Sequence, residues 1–362
     1  MKALVLASLL SLLALPVSAQ RALEPVSGNP MESSAQGPVL HGTLLLMESE
    51  EGRAALEDFH RRKANGELPY FGKSASSAAV GDTVTFRVFN YQTSAYMQRR
   101  FVWKAEGSIA NVWVEVGEAT GPGGNGHVTD ADIQGLLDAL ENTTPAGSFN
   151  PGAGILENNI DIFGDGNAAT SLPNVDGDGK TDVFLHDIID GGVPGGGFIA
   201  GFVDPSDLTP SGNGNNRDIL HMDSNEGLLF RTFANFLATA AHELQHLIHF
   251  NYSTSEETFV NEGLSEYAEI ANGYPGRTMR YLDDPVEQKL SLFSWDGRNL
   301  DYERAGFLTS YFAERTDALT TGSLTRDPAN GRRGYENASA LKGLTFQEIL
   351  VDFHTATLLN GP

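Results

Sequence analysis

Residues 240–250 read AAHELQHLIHF, and this stretch constrains the chain more than any other. At about 100° per residue, Leu229, Phe233, Phe236, Leu237, Ala240, Leu244 and Leu247 fall in one stripe. His242, Glu243 and His246 project from the other side. The pattern predicts a helix with one face buried in a core and the opposite face lining a cleft. Two imidazoles one turn apart can bind a single zinc ion, and the adjacent glutamate reaches the water on that ion. The competing reading is a solvated polar stripe.

A second helix follows in FVNEGLSEYAEIANGYP. Val260, Leu264, Tyr267 and Ala271 form its apolar stripe, Glu262, Glu266 and Glu269 share the reverse face, and Gly273 and Pro275 supply the stop. The connector NYSTSEE is short enough for the two helices to lie side by side. Glu262 then completes a two-histidine, one-glutamate site. Glu266, one turn on, is placed to accept a hydrogen bond from the free ring nitrogen of a ligand histidine. Nearby rivals fit less well: Glu256 and Glu257 open the second helix, where carboxylates are favoured without any metal. His249 lies on the same rigid helix as the pair and is expected at the surface or as an outer partner.

A second ion-binding pattern stands in NVDGDGKTD. Asn174, Asp176 and Asp178 occupy positions 1, 3 and 5 of a calcium loop, Gly179 turns the chain at 6, Lys180 offers its carbonyl and Asp182 sits at 9. Position 12 is Leu185, so the pattern is not a complete EF-hand, and a remote acid such as Asp187 would finish the shell. The alternative is an Asp/Gly-rich turn that merely loops. A calcium here would brace the Gly-rich span of residues 143–227.

The remainder sets the context. Lys2 followed by ALVLASLLSLLALP and then VSA reads as a signal peptide over residues 1–19, too short to cross a bilayer, which implies a secreted chain. The net charge of −23 argues against nucleic acid and against an anionic membrane as partner. The absence of cysteine excludes thiolate ligands and a cysteine nucleophile, and is unusual outside the cell. Residues 20–78 read as a linker or propeptide holding one helical stretch, EGRAALEDFHRRK. Period-two alternation in DTVTFRVFNY, with Val84, Phe86 and Val88 on one face, and in the strands after it predicts a β lobe over residues 79–118. Thr129 is the expected N-cap of the helix TDADIQGLLDALE.

The sequence HELQH followed within twenty residues by NEGLSEYAE resembles the glutamate-zincins, and in particular the hyicolysin family of secreted bacterial metallopeptidases. The likeness extends to VDGDGKTDVFLHDI, GGFIAGFVDPSDL and DILHMDSNEG and covers residues 83–315. It implies His242, His246 and Glu262 as zinc ligands and Glu243 as general base. It also implies Tyr302, at the start of the helix YERAGFLTSYFAER, as a donor to the developing oxyanion. A tyrosine that simply packs at a helix start is the rival account of Tyr302. The fold expected is α+β: a small N-terminal β lobe, a zincin-like α+β lobe over residues 119–273 and a helical C-terminal lobe over 274–362. The expected activity is a secreted zinc endopeptidase acting on a protein or peptide, with zinc as cofactor and calcium as structural ion. The alternative is an exported calcium-binding surface or adhesion module with an idle zinc site.

Overall fold

The computed structural model describes residues 39–69, 78–191, 197–210, 212–277, 281–283 and 289–360. The signal peptide expected at residues 1–19 lies outside the described residues. The fold is mixed α+β, built on a seven-stranded sheet followed by a helical C-terminal region. The strands are β1 Val39–His41, β2 Thr83–Asn90, β3 Ala95–Glu106, β4 Ala110–Glu115, β5 Thr181–His186, β6 Phe198–Phe202 and β7 Ile219–Asp223. Their order is β1-β6-β7-β5-β4-β3-β2.

β2, β3 and β4 form an antiparallel meander, while β4, β5 and β7 run parallel. The strands expected as a lobe of their own are thus continuous with the rest of the sheet, through the β4 to β5 pairing. The alternation read in β2 holds: Phe86 and Val88 are buried, and Thr83, Thr85 and Arg87 are exposed. Further in, β4, β5, β6 and β7 are buried on both faces, as central strands must be. Val112, Val114, Val183, Leu185, Leu220 and Met222 meet the helices in the main core. Trp113, Phe184 and Ile219 point the other way, onto Phe86, Val88 and Phe101.

Two helices carry the motif residues. The histidine helix, Phe233–Phe250, starts at Thr232, whose hydroxyl caps the Asn235 N–H. The glutamate helix, Thr258–Ala271, ends before Gly273, which takes the left-handed φ of +74°. Thr129 caps the helix Asp130–Glu141 in a capping box with Asp132. A third site helix, Asn299–Arg315, carries Tyr302 and lies tight against the glutamate helix. Glycines permit that approach: a Cβ on Gly263 would stand 2.4 Å from Thr309 Oγ1, and one on Gly306 would stand 2.7 Å from Glu266 Cβ.

Part of the segment expected as linker or propeptide is ordered against this body. After β1 come the short helix Thr43–Met47 and the helix Glu50–Ala64, which buries Leu56 and Phe59 in the main core. His60 Nε2 lies 2.8 Å from the Phe250 carbonyl, and Lys63 donates to the carbonyl and side chain of Asn251. This segment therefore grips the C-terminal end of the histidine helix.

Candidate metal centre

The helical period turns His242 and His246 to one side of the histidine helix and Glu262 toward them from its neighbour. His242 Nε2 is 3.2 Å from His246 Nε2 and 3.2 Å from Glu262 Oε2, and His246 Nε2 is 3.5 Å from Glu262 Oε1. All three side chains are fully buried. Four-coordinate zinc with bonds of about 2.0–2.1 Å separates its ligands by roughly 3.3–3.4 Å along each tetrahedral edge. The two Nε2 atoms and the Glu262 carboxylate, one oxygen toward each ring, already stand close to that spacing. Neither carboxylate oxygen of Glu262 receives a hydrogen bond, a costly state for a buried acid unless a cation sits beside it. The donor set fits zinc.

The outer nitrogens fix the rings. His242 Nδ1 is 3.1 Å from Glu269 Oε1, and His246 Nδ1 is 3.1 Å from Asn261 Oδ1 and 3.2 Å from Ser265 Oγ. With Nδ1 engaged, the Nε2 atoms converge inward, as a shared ion requires. Burial lowers the proton affinity of His242, but Glu262 and Glu269 outweigh it and lift its pKa to about 10. Glu262, despite its burial, is drawn down to about 2 by His246 and His242. Positive charge, carried by a proton on His242 or by a metal ion, is thus favoured between these side chains.

Glu266 occupies a different place from the one its spacing suggested. It stands 3.8 Å from His242 Nδ1, while Arg277 Nε donates to its Oε1 at 2.6 Å. The acid at hydrogen-bond distance from His242 is Glu269. Burial and the neighbouring Glu269 push Glu266 up and Arg277 pulls it back, leaving it at about 7. His249 is buried rather than at the surface, and burial takes it down to about 3. Neither of its ring nitrogens has a hydrogen-bond partner, and it joins no ligand cluster among the described residues.

Glu243 has both oxygens engaged, by residues that sequence reasoning missed. His41 Nδ1 is 2.7 Å from Oε1 and the Thr43 hydroxyl donates to Oε2 at 2.7 Å. The His41 ring also stacks on His242, with centroids 3.5 Å apart and planes 9° from parallel. Burial raises the pKa of Glu243 and lowers that of His41 well below the usual imidazole range. The only hint in the sequence was a histidine inside an otherwise apolar, strand-like piece. The polar face expected to line a cleft is instead covered on every side.

Tyr302 is buried 6.2 Å from the His41 ring, with the Arg277 guanidinium 4.7 Å over its own ring and Trp295 against its edge. Burial pushes its hydroxyl pKa well above the usual value.

The Asp/Gly loop folds as a turn with left-handed φ at Asn174, Gly177 and Gly179. Asn174 Oδ1 accepts from the Gly179 N–H and Asp178 Oδ1 from the Lys180 N–H. Asp182 accepts from Trp113 at 2.8 Å, Asn111 at 3.1 Å and Arg217 at 2.6 Å. Arg217 also stands 3.4 Å from Asp176, which burial and Asp178 push up to about 7. The carboxylates of Asp176, Asp178 and Asp182 are not among the described groups whose oxygens all come within 4.8 Å of one another. Asp187 forms such a group with Asp223 and Glu226 instead.

No known protein family's profile matches the chain. Its sequence is similar to the neutral metalloprotease ShpI of Staphylococcus hyicus, 22% identical over 287 residues, which takes in 73% of this chain and 59% of that protein. The chain thus spans about three fifths of the length of the curated relative it matches. That likeness supports a relationship to a metalloprotease.

Proposed function

We propose that this chain is an exported zinc endopeptidase of the hyicolysin type, hydrolysing peptide bonds in protein or peptide substrates. The observation that carries the reading is the convergence of His242 Nε2, His246 Nε2 and Glu262 at 3.2–3.5 Å, with both Glu262 oxygens lacking donors. The reaction class draws on the name of the staphylococcal relative. Bound between these three residues, zinc would supply Lewis-acid activation of a water and of the scissile carbonyl.

The rest falls to side chains. Glu243 directly follows the first ligand and takes the proton of the attacking water on a carboxylate oxygen, then returns it to the leaving amine. Burial, which raises its proton affinity, suits a group that must hold a proton for part of the cycle. Glu269, Asn261 and Ser265 keep the histidine rings oriented. Tyr302, kept neutral by burial, is the candidate hydroxyl donor to the oxyanion. Export rests on the N-terminal signal; no described helix is long and apolar enough to cross a membrane. A structural calcium at Asn174, Asp176, Asp178, the Lys180 carbonyl and Asp182 belongs to the same reading. Its support is the ligand spacing, and it must share Asp176 and Asp182 with Arg217.

Glu243→Gln keeps the size of the base and removes its basicity. Turnover of a casein or fluorogenic peptide substrate is expected to fall by roughly a hundredfold or more with zinc still near one per chain. Activity within a few-fold of the parent would refute the mechanism.

A further inference from the structure

A peptidase centre has to admit an extended chain, yet His242, Glu243, His246 and Glu262 are all fully buried. Part of the cover is made by residues 39–47 of the same chain, through His41 and Thr43 on Glu243 and His41 on His242. β1 pairs in parallel with β6, Val39 opposite Phe198, Leu40 opposite Ile199 and His41 opposite Gly201, and the Gly42 N–H donates to the Gly201 carbonyl at 2.9 Å. Without β1, β6 would be the last strand of the sheet, its outer main-chain groups free to pair with another chain. β6 also runs beside the base: a Cβ on Gly201 would stand 3.1 Å from Glu243 Cγ. β1 therefore lies where an extended peptide adding to that edge would lie.

The contacts that follow β1 act on the base itself. A general base needs a free oxygen to receive its proton. In Glu243, Oε1 is met by His41 Nδ1 and Oε2 by the Thr43 hydroxyl, each at 2.7 Å. Thr43 is held in turn, since its Oγ1 accepts from the Val203 N–H at 2.8 Å. Arg277 Nη1 donates to the Val39 carbonyl at 2.6 Å and ties the strand down at its start. Beyond the centre, the helix Glu50–Ala64 anchors the segment through Leu56, Phe59, His60 and Lys63. Shortly before β2, Ala79 and Val80 are exposed.

We propose that residues 39–64 are an inhibitory segment: β1 takes the place of substrate on β6, and His41 with Thr43 immobilises the general base. This rests on the zinc peptidase reading. Cutting the chain between the segment and β2 frees it to dissociate, which opens the edge of β6 and both oxygens of Glu243 together. The competing account makes His41 a permanent member of the working centre.

A recognition sequence for a site-specific protease, inserted between Ala79 and Val80 of the full chain, allows the cut to be made on the folded protein. After cutting and separation of the N-terminal fragment, hydrolysis of a fluorogenic peptide is expected to rise at least tenfold at unchanged zinc content. The uncut His41→Ala/Thr43→Ala chain should move in the same direction. A second readout does not depend on turnover: a labelled peptide of residues 39–64, titrated into the cut and separated protein and followed by anisotropy. The native peptide should bind at least tenfold more tightly than one carrying His41→Ala and Thr43→Ala. The proposal is overturned if the two peptides bind alike. It is equally overturned if the separated protein keeps its fold but loses zinc or turnover, which would place His41 in the working centre. Zinc-loaded, separated protein that discriminates the peptides, where neither it nor the uncut chain hydrolyses any substrate, would support the seating of the segment and overturn the peptidase reading, so the two failures are distinct.

Discussion

Replacing Glu269 by glutamine isolates the outer support of the centre from the ligands themselves. The side chain keeps its shape, and its oxygen can still face His242 Nδ1, now 3.1 Å away, but the charge is gone. Hydrogen bonds with an ionised partner are roughly twice as strong as neutral ones. Carboxylate partners of ligand histidines are worth roughly ten- to a hundredfold in metal affinity, about 1.4–2.7 kcal/mol. Glu266→Gln provides the comparison. Its oxygen is 3.8 Å from the same nitrogen and its charge is already matched by Arg277 at 2.6 Å. Zinc affinity should therefore change by no more than about threefold on losing Glu266, since a compensated charge contributes little at that distance. What Glu266→Gln does remove is the partner of a buried guanidinium. Breaking a buried ion pair costs about 3–5 kcal/mol, and the low end applies because Arg277 keeps its bonds to Val39 and Asn299. The assay is competition for zinc against a chromophoric chelator, alongside urea unfolding of the metal-free proteins. Expected is weakened zinc binding in Glu269→Gln, and lowered stability with near-parental zinc binding in Glu266→Gln. The reverse pattern, zinc lost with Glu266 and kept with Glu269, would refute the assignment.

Gly263→Ala forces a methyl group against Thr309 Oγ1, which stands 2.4 Å from the ideal Cβ, and against the Ala305 carbonyl at 3.0 Å. A loss of about 1–3 kcal/mol is expected from the overpacking, read in urea unfolding; an unchanged midpoint would mean the helices separate freely. For the Asp/Gly loop, a calcium ion held by Asn174, Asp178 and their neighbours should raise the melting temperature, and selective calcium removal should lower it before zinc is lost. Superimposable melting curves with and without calcium would leave Arg217 as the cation that organises the loop.

What could be read from the sequence was whatever a single helical or strand period fixes. His242 and His246 lie one turn apart, so their common direction follows from 3.6 residues per turn, and the short connector puts Glu262 on a neighbouring helix. The strand alternation at Phe86 and Val88 is legible for the same reason. The period does not choose between residues that share a face. Glu266 and Glu269 both face the histidines, and the one that meets His242 is decided by Arg277, which claims Glu266 from beyond the end of the glutamate helix. The Asp/Gly loop is a second case. Asp182 pairs in register with Ile219 across β5 and β7, which brings Arg217 onto Asp182 and Asp176, and no local spacing announces an arginine 35 residues downstream. His41 and Thr43 lie furthest from local reading, at 202 and 200 residues from Glu243. An amphipathic wheel reports which side of a helix is polar and says nothing of what covers it. Here part of the cover is a parallel strand added to β6, a pairing set by the sheet rather than by the helix. The convergence of the candidate ligands was therefore legible where one period carries them, whereas what covers them depends on a long-range register that only the folded chain displays.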